Sequence, residues 1–457
     1  MTVLAHGIGG ATDLPIPLSY ALIGAAWALT FSFAVLVLAW REPRLDSRSP
    51  GVALPSVARA VVDSRAVRVA ISTVSVAVTI AVVAIGLFGP SDPARNPVPG
   101  IVYIFLWVGV MVASLVAGPV WKVLSPVRAL HRAICLVWRR RPADGLACYP
   151  DSWGQWPAVL GLFSFVWLEL AYPEPGSVSA VTTWFVAYLV VSTTGLIVYG
   201  TAWAEQADPL EVYSSLVGRL SPVGRRETGA LVLRSPLDNL AGTPVRIGGV
   251  AVAATLLGST AFDSFTTFPS WRGLLADAGD SGSDVLPTLL KTAGLLGFIL
   301  VVAVVFRTAS RATGGLSAAE RTLLPVRLAH SLTPIVAGYL VAHYLTFLVE
   351  KGQSTVLLFA DPFGRGWNLA GLADRDVAYF LSTHPAVLGT IKVLAVVIGH
   401  ILGVAAAHDR CLRLLPPAHR VTGQLALMLV MVGFTFTGLY LLLEHPFGSE
   451  FTTYVGS

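Results

Sequence analysis

Charge is what this sequence has least of. Asp, Glu, Lys and Arg make up 12% of its 457 residues, about half of the roughly 25% usual in soluble globular chains. That shortage excludes a water-soluble enzyme of ordinary composition. A disordered chain is excluded as well, since 54% of the residues are hydrophobic and the mean hydropathy is +0.71. Lysine is scarce: Lys122, Lys291, Lys351 and Lys392 stand against 27 arginines. With abundant Ala, Val and Gly, this bias matches a GC-rich bacterial genome. Cysteine is scarce too. Cys135, Cys148 and Cys411 have neither the short spacing of a zinc or iron–sulfur site nor the even number of a disulfide framework. They read as free thiols in a reducing compartment.

Several motifs are missing. The sequence has no Walker loop, no dinucleotide-binding glycine fingerprint, no His-Glu-x-x-His and no Gly-x-Ser-x-Gly elbow. ATP-driven transport would therefore need a separate ATPase subunit, and no metal is expected. Residues 1–16 hold no Lys or Arg, so the basic start of a secretory signal is missing. The first apolar run is expected to be a retained span.

Long apolar runs are abundant. A transmembrane helix needs about 20 mostly apolar residues. Ten segments qualify: 17–40, 67–89, 100–120, 156–173, 179–203, 245–264, 286–306, 326–348, 385–407 and 421–443. The fourth is short and contains Glu169. The sixth is flanked by Arg246 and Asp263. The fold class expected is an all-α polytopic bundle forming a single integral membrane domain, with the lipid bilayer as its main partner.

Loop charge sets the orientation. With the N-terminus outside, the junctions after the odd-numbered spans carry six, six, five, four and three basic residues. The opposite side carries five, and Lys291 and Lys392 lie within spans. The net charge of +5 thus reads as a cytoplasmic arginine collar, not as a nucleic-acid surface. Both termini are expected outside, in a bacterial plasma membrane. Two cytoplasmic segments look like helices lying in the headgroup region. One is 121–141, with Leu124, Val127, Leu130 and Ile134 at helical spacing. The other is 209–220, with Leu210, Val212, Leu216 and Leu220. Leu-Ser-Pro-Val at 124–127 recurs at 220–223, which suggests a two-helix duplication, 100–173 and 179–264. Shared Ser-Pro turn chemistry explains the match equally well. A long outer connection is expected at 349–384.

Charged groups in hydrocarbon cost roughly 2.5–3.5 kcal/mol each on insertion scales, so each demands a reason. Glu169, Asp263, Lys291, His343 and Lys392 all fall in the outer half of the bundle. Asp263 and Lys291 can simply mark its boundary. Glu169, His343 and Lys392 are candidates for a water-filled vestibule or proton path, or for structural ion pairs. His330 and His400 fall at similar depth nearer the cytoplasm. They are candidates for a proton relay, for haem b or quinone-side ligation, or for structural hydrogen bonds. Pro334 is expected to kink the eighth span. His408-Asp409-Arg410 is expected to anchor the ninth at the inner surface.

The sequence resembles a group of uncharacterised polytopic membrane proteins of actinobacteria and some proteobacteria. The likeness rests on His6-Gly7 followed by Asp13-Leu14-Pro15 and Pro17, on Ala342-His343-Tyr344, and on Asp361-Pro362-Phe363-Gly364-Arg365-Gly366-Trp367. It also rests on Gly399-His400 with Ala407-His408-Asp409-Arg410. It implies a membrane bundle and brings no activity with it. Three functions fit these residues: a proton- or ion-coupled permease for a small solute, a membrane subunit of a redox complex, and a non-catalytic scaffold or assembly factor.

The orientation is testable by itself. Leu130→Cys and Arg225→Cys are expected to resist a membrane-impermeant maleimide in intact cells and to label after permeabilisation. Labelling of either from outside would invert every depth given above.

Overall fold

The structure is a computed structural model in which residues 16–280 and 282–443 are described. The segment around His6 and Asp13, and the chain end expected outside, fall beyond these residues. Helix dominates the described chain, as the apolar runs require. It begins with α1 (Leu18–Ala39), α2 (Ser56–Asp63), α3 (Arg65–Phe88) and α4 (Val98–Ala117). Next come α5 (Pro126–Val137), α6 (Trp156–Leu170), α7 (Val178–Tyr199), α8 (Pro209–Val217) and α9 (Gly249–Phe265). Then follow α10 (Val285–Arg311), α11 (Ala318–Leu328), α12 (Thr333–Thr346), α13 (Pro385–Leu414) and α14 (Leu425–Leu443).

Eight helical stretches are long and apolar enough to cross a membrane: α1, α3, α4, α7, α10, the composite Ala318–Ala360, α13 and Thr422–Leu443. The other two of the ten expected spans, α6 and α9, have only 15 and 17 residues. At 1.5 Å per residue they reach ~23–26 Å, short of a ~30 Å hydrocarbon core. Ile80 and Phe88 of α3 and Leu300 and Val301 of α10 are exposed. Such ribbons of bare aliphatic surface are a liability in water and cost nothing against lipid. The chain is a multi-pass membrane protein.

The chain divides into two compact units. The first comprises the residues up to Arg44, Leu256–Gln353 and the chain from Val377 on. At its centre α12 and α13 pack antiparallel through glycines. A Cβ at Gly338 would lie 2.3 Å from the Ala395 carbonyl oxygen, one at Gly399 2.6 Å from that of Pro334, and one at Gly403 2.8 Å from that of Ser331. Only hydrogen fits at these positions, so the two backbones meet. The eighth span is not one helix. α11 gives way to a 3-10 turn, Ala329–Leu332, and Pro334 then sits in the first turn of α12. The break precedes the proline, because a first-turn residue has no intrahelical N–H bond to lose. A π-helical turn, Phe347–Lys351, follows, and helix continues to Ala360. The outer connection expected from 349 therefore starts at Asp361.

The second unit comprises Leu45–Thr255 and Ser354–Asp376. It includes a small antiparallel sheet of β1 (Val52–Ala53), β2 (Val223–Arg225) and β3 (Leu231–Leu233), with β3 in the middle. Its helices repeat, but in a register different from the expected one. α4 ends at Gly118 and α7 at Gly200, both with positive φ. Each is followed by a short helical turn containing Trp121 or Trp203, and then by Ser125-Pro126 or Asp208-Pro209. Ser125 caps α5 and Asp208 caps α8, each with proline at the first helical position. Leu-Ser-Pro-Val serves different ends at its two occurrences. Ser125 opens a helix, whereas Ser221 precedes strand β2 and donates to the Val116 carbonyl, 2.9 Å. The α8 segment is not a headgroup helix, since Pro209 through Ser214 and Val217 are all buried. α5 does behave as expected, burying Val127, His131 and Cys135 and exposing Leu130, Leu136 and Val137.

The glycine contacts give a direct test. Gly399→Ala forces α12 and α13 apart and is expected to lower stability in detergent by about 1–3 kcal/mol, the usual cost of overpacking. Gly297→Ala on α10, where a Cβ would meet nothing within 4 Å, is expected to leave thermal unfolding unchanged.

Candidate functional site

Two buried polar networks stand out, one in each unit. The first is built on α9 and α12. Asp263 and Ser264 lie in the last turn of α9, and Tyr339, His343 and Tyr344 lie on α12. His343 Nε2 meets Asp263 Oδ2 at 2.8 Å, and the Tyr344 hydroxyl donates to the same oxygen at 3.2 Å. On the other edge of the imidazole, Nδ1 is 3.2 Å from Ser264 Oγ, which is 3.0 Å from the Tyr339 hydroxyl. The chain Tyr339–Ser264–His343–Asp263–Tyr344 is thus continuous. All five residues are buried.

The donors can be assigned from chemistry. A carboxylate only accepts, so Nε2 donates to Asp263. The Ser264 hydroxyl lies within reach of Nδ1 and of the Thr260 carbonyl, 3.3 Å away. Asp-His-Ser contact also occurs in hydrolases. Here Ser264 is fully buried within a helix and shared with Tyr339, so no substrate carbonyl reaches it.

Lys392 of α13 is fully buried. The close approaches of Gly338 to Ala395 and of Gly399 to Pro334 fix the register of α13 on α12. Continued one turn, this register sets Lys392 about two residues from the His343 level. Three of the sequence candidates, Asp263, His343 and Lys392, therefore share one part of the first unit. Lys291 is half-buried, six residues into α10. Glu169 belongs to the second unit, where it acts electrostatically on Tyr103 and Tyr213.

His330 and His400 stand about 5 Å apart along the α12–α13 pair, since Gly399 meets Pro334 and Gly403 meets Ser331. His330, in the 3-10 turn, bonds to the carbonyls of Arg327 and Ala406. Ala406 lies six residues beyond His400, about 9 Å along the helix. His400 Nδ1 bonds to the Val396 carbonyl at 2.8 Å, and its buried Nε2 has no hydrogen-bond partner. His408 bonds to Gln424 and to the Trp40 carbonyl, and Asp409 pairs with Arg413 at 3.3 Å. Asp409 also accepts from Trp40 Nε1 at 3.2 Å, so His408 and Asp409 tie α13 to Trp40 at the end of α1.

The second network was not foreseen, because its members were assigned to surface helices. Arg128 of α5 grips Glu211 of α8 through both carboxylate oxygens, Nη2 to Oε1 at 2.5 Å. The Glu211 side chain is 1% exposed. Asp208 accepts from the Glu211 amide at 2.8 Å and from the Tyr188 hydroxyl at 3.0 Å. Ser114 and Ser214 pair beside it at 2.8 Å, and Ser214 accepts from the Trp121 amide. Arg128 and Glu211 hold equivalent places in the internal repeat, each three residues past its capping residue. The repeat signal was present in the sequence as Gly-x-x-Trp preceding Ser-Pro or Asp-Pro, 82 to 83 residues apart. Two carboxylates share one guanidinium here. Burial, and after it the Glu211 charge, push the Asp208 carboxyl up from 3.8 to about 6. Among the described residues no group of three or more His, Cys, Asp or Glu could hold a metal.

The sign of the Asp208 effect follows from its raised value. The protonated form is favoured in the fold, so its stabilising contribution is complete below pH 4. It is lost as the pH climbs through about 6. Asp208→Asn keeps the cap and removes the titration. Relative to the unsubstituted protein it is expected to gain up to about 3 kcal/mol between pH 4 and pH 7.5, read as converging and then crossing melting temperatures.

A scan of the chain against protein-family models matches no family, and neither the curated proteins nor the solved structures yield a match.

Proposed function

We propose that this membrane protein is a proton-coupled permease for a small solute, resident in a bacterial plasma membrane. The observation that carries the reading is the buried His343–Asp263 dyad inside a continuous hydrogen-bonded chain. Intramembrane ionisable groups are costly and, where present, commonly mark ion or proton pathways. The helix break at Ala329–Leu332 adds support, because discontinuous helices are frequent at transporter binding sites. Lys392, fully buried on α13 about two residues from the His343 level, adds a third ionisable group to this part of the unit. Arginine-over-lysine usage and the resemblance to actinobacterial proteins support the bacterial assignment.

A redox subunit is the second reading, favoured by one observation. His400 donates from Nδ1 to a backbone carbonyl and keeps Nε2 unpartnered, the arrangement of an oriented axial ligand.

Proteoliposomes loaded with a pH-sensitive dye test the first reading. Offered a panel of amino acids, sugars, carboxylates and inorganic ions, they are expected to acidify with at least one solute. Asp263→Asn and His343→Gln are expected to reduce that flux tenfold or more, and Tyr344→Phe two- to fivefold. Acidification no faster than in empty vesicles for every solute would remove proton coupling. A Soret band lost in His400→Ala would favour the redox reading. Substitutions that alter only the yield would favour a scaffold or assembly factor.

A further inference from the structure

Among the described residues, three cations of the second unit in one neighbourhood make no ion pair with a carboxylate. Arg68 lies in the first turn of α3, Lys122 in the turn Trp121–Leu124, and Arg132 on α5. α3 packs on both α5 and the Trp121–Leu124 turn, and Ser75 Oγ donates to the Leu124 carbonyl across that contact. Arg132 Nη2 reaches the Lys122 carbonyl at 3.3 Å, and Arg68 Nη2 reaches the Asp63 carbonyl at 2.7 Å. These neutral acceptors are the side-chain hydrogen bonds the two guanidiniums make among the described residues. The nearby carboxylates are already taken. Asp63 pairs with Arg225 at 2.9 Å, and Glu211 is gripped by Arg128.

Arg132 is held below its ordinary value by burial and by the repulsion of Arg128 and then Arg68. The guanidiniums are therefore close enough to oppose one another. Within one chain such a cluster is unfavourable, and an anion set among the three would relieve it. Two oxygens of a phosphate match a guanidinium fork, and a lysine adds a point charge.

The surroundings select the carrier of that phosphate. Val69 and Val74 of α3, Leu124, and Leu130 of α5 are exposed around the cations, as are Leu136, Val137 and Trp138 farther along. α2, just before α3, buries none of its residues and exposes Val57, Val61 and Val62. An exposed aliphatic surface beginning at the level of the charges is where acyl chains lie beneath a headgroup. A free phosphate would gain nothing from it.

We propose that Arg68, Lys122 and Arg132 form a binding site for the phosphate of an anionic phospholipid, whose acyl chains lie along α3 and α5. The site is independent of the proton-coupled reading and survives its failure.

Native mass spectrometry of the full-length protein in detergent tests it, with phosphatidylglycerol and phosphatidylcholine as probes. The unsubstituted protein is expected to retain phosphatidylglycerol at least fivefold better than phosphatidylcholine. Arg68→Gln/Arg132→Gln is expected to lose that preference, with a tenfold or greater drop in phosphatidylglycerol affinity. Lys122→Gln alone should lose two- to fourfold. Arg375→Gln, exposed in a loop of the same unit, removes one charge elsewhere and should change nothing. Arg68 and Lys122 are exposed, so the single variants Arg68→Gln and Lys122→Gln keep the test open if the double variant misfolds. Equal retention of the two lipids, or an equal loss in Arg375→Gln, would overturn the site. Displacement of phosphatidylglycerol by millimolar inorganic phosphate would assign the three cations to a free anion instead and overturn the lipid.

Discussion

Hydrocarbon offers no hydrogen-bond partner, and that constraint governs every polar atom this chain carries into its spans. A donor or acceptor left open there costs several kcal/mol. Most hydroxyls answer it locally. Thr255, Thr260 and Thr435 return their protons to the carbonyl four residues back, so these residues pass through apolar helices at little cost. Ionisable groups cannot be satisfied by a single carbonyl. They have to meet one another, and where they meet determines which helices pack together and at what height.

The two units meet this demand in different ways. In the first, a carboxylate, an imidazole, two phenols and a serine hydroxyl are strung into one line, and α12 and α13 come together at glycines rather than at side chains. In the second, a guanidinium grips a carboxylate in a two-pronged bond, and both partners stand at the starts of helices related by an internal repeat. A fork of that kind fixes orientation. It is a clamp between two copies of one motif, and the aromatic stacking of Trp107 on Tyr213 beside it, with centroids 4.6 Å apart, adds to the rigidity.

Anchoring at the arginine-rich ends follows the same physics. Beyond the apolar stretches water and headgroups are available, so cations need no internal partner and can serve the interface. Arg128 and Arg413 differ, because each meets a buried carboxylate, Glu211 and Asp409. Arg68 and Arg132 are left with carbonyls, and their surroundings of exposed valine and leucine belong to the lipid side of the boundary.

Apolar run length located helix in all ten places, eight of them long enough to span, because burial in lipid is a one-dimensional demand that each segment meets alone. It did not show that the eighth span is broken and extends from Ala318 to Ala360. The same reasoning marked Asp263, His343 and Lys392, since a charge in an apolar run is conspicuous without any neighbour. It did not tell which of them touch. Asp263 and His343 are 80 residues apart, and their contact depends on α9 and α12 lying side by side. Glu211 and Arg128 stood in segments whose mixed composition suits a headgroup helix, and only packing showed α8 to be buried. Hydropathy and charge asymmetry are sums over a single strand of chain and can be read along it. Partnership is a property of two helices at once, and the backbone approaches that three-dimensional folding allows at Gly338, Gly399 and Gly403 decided it.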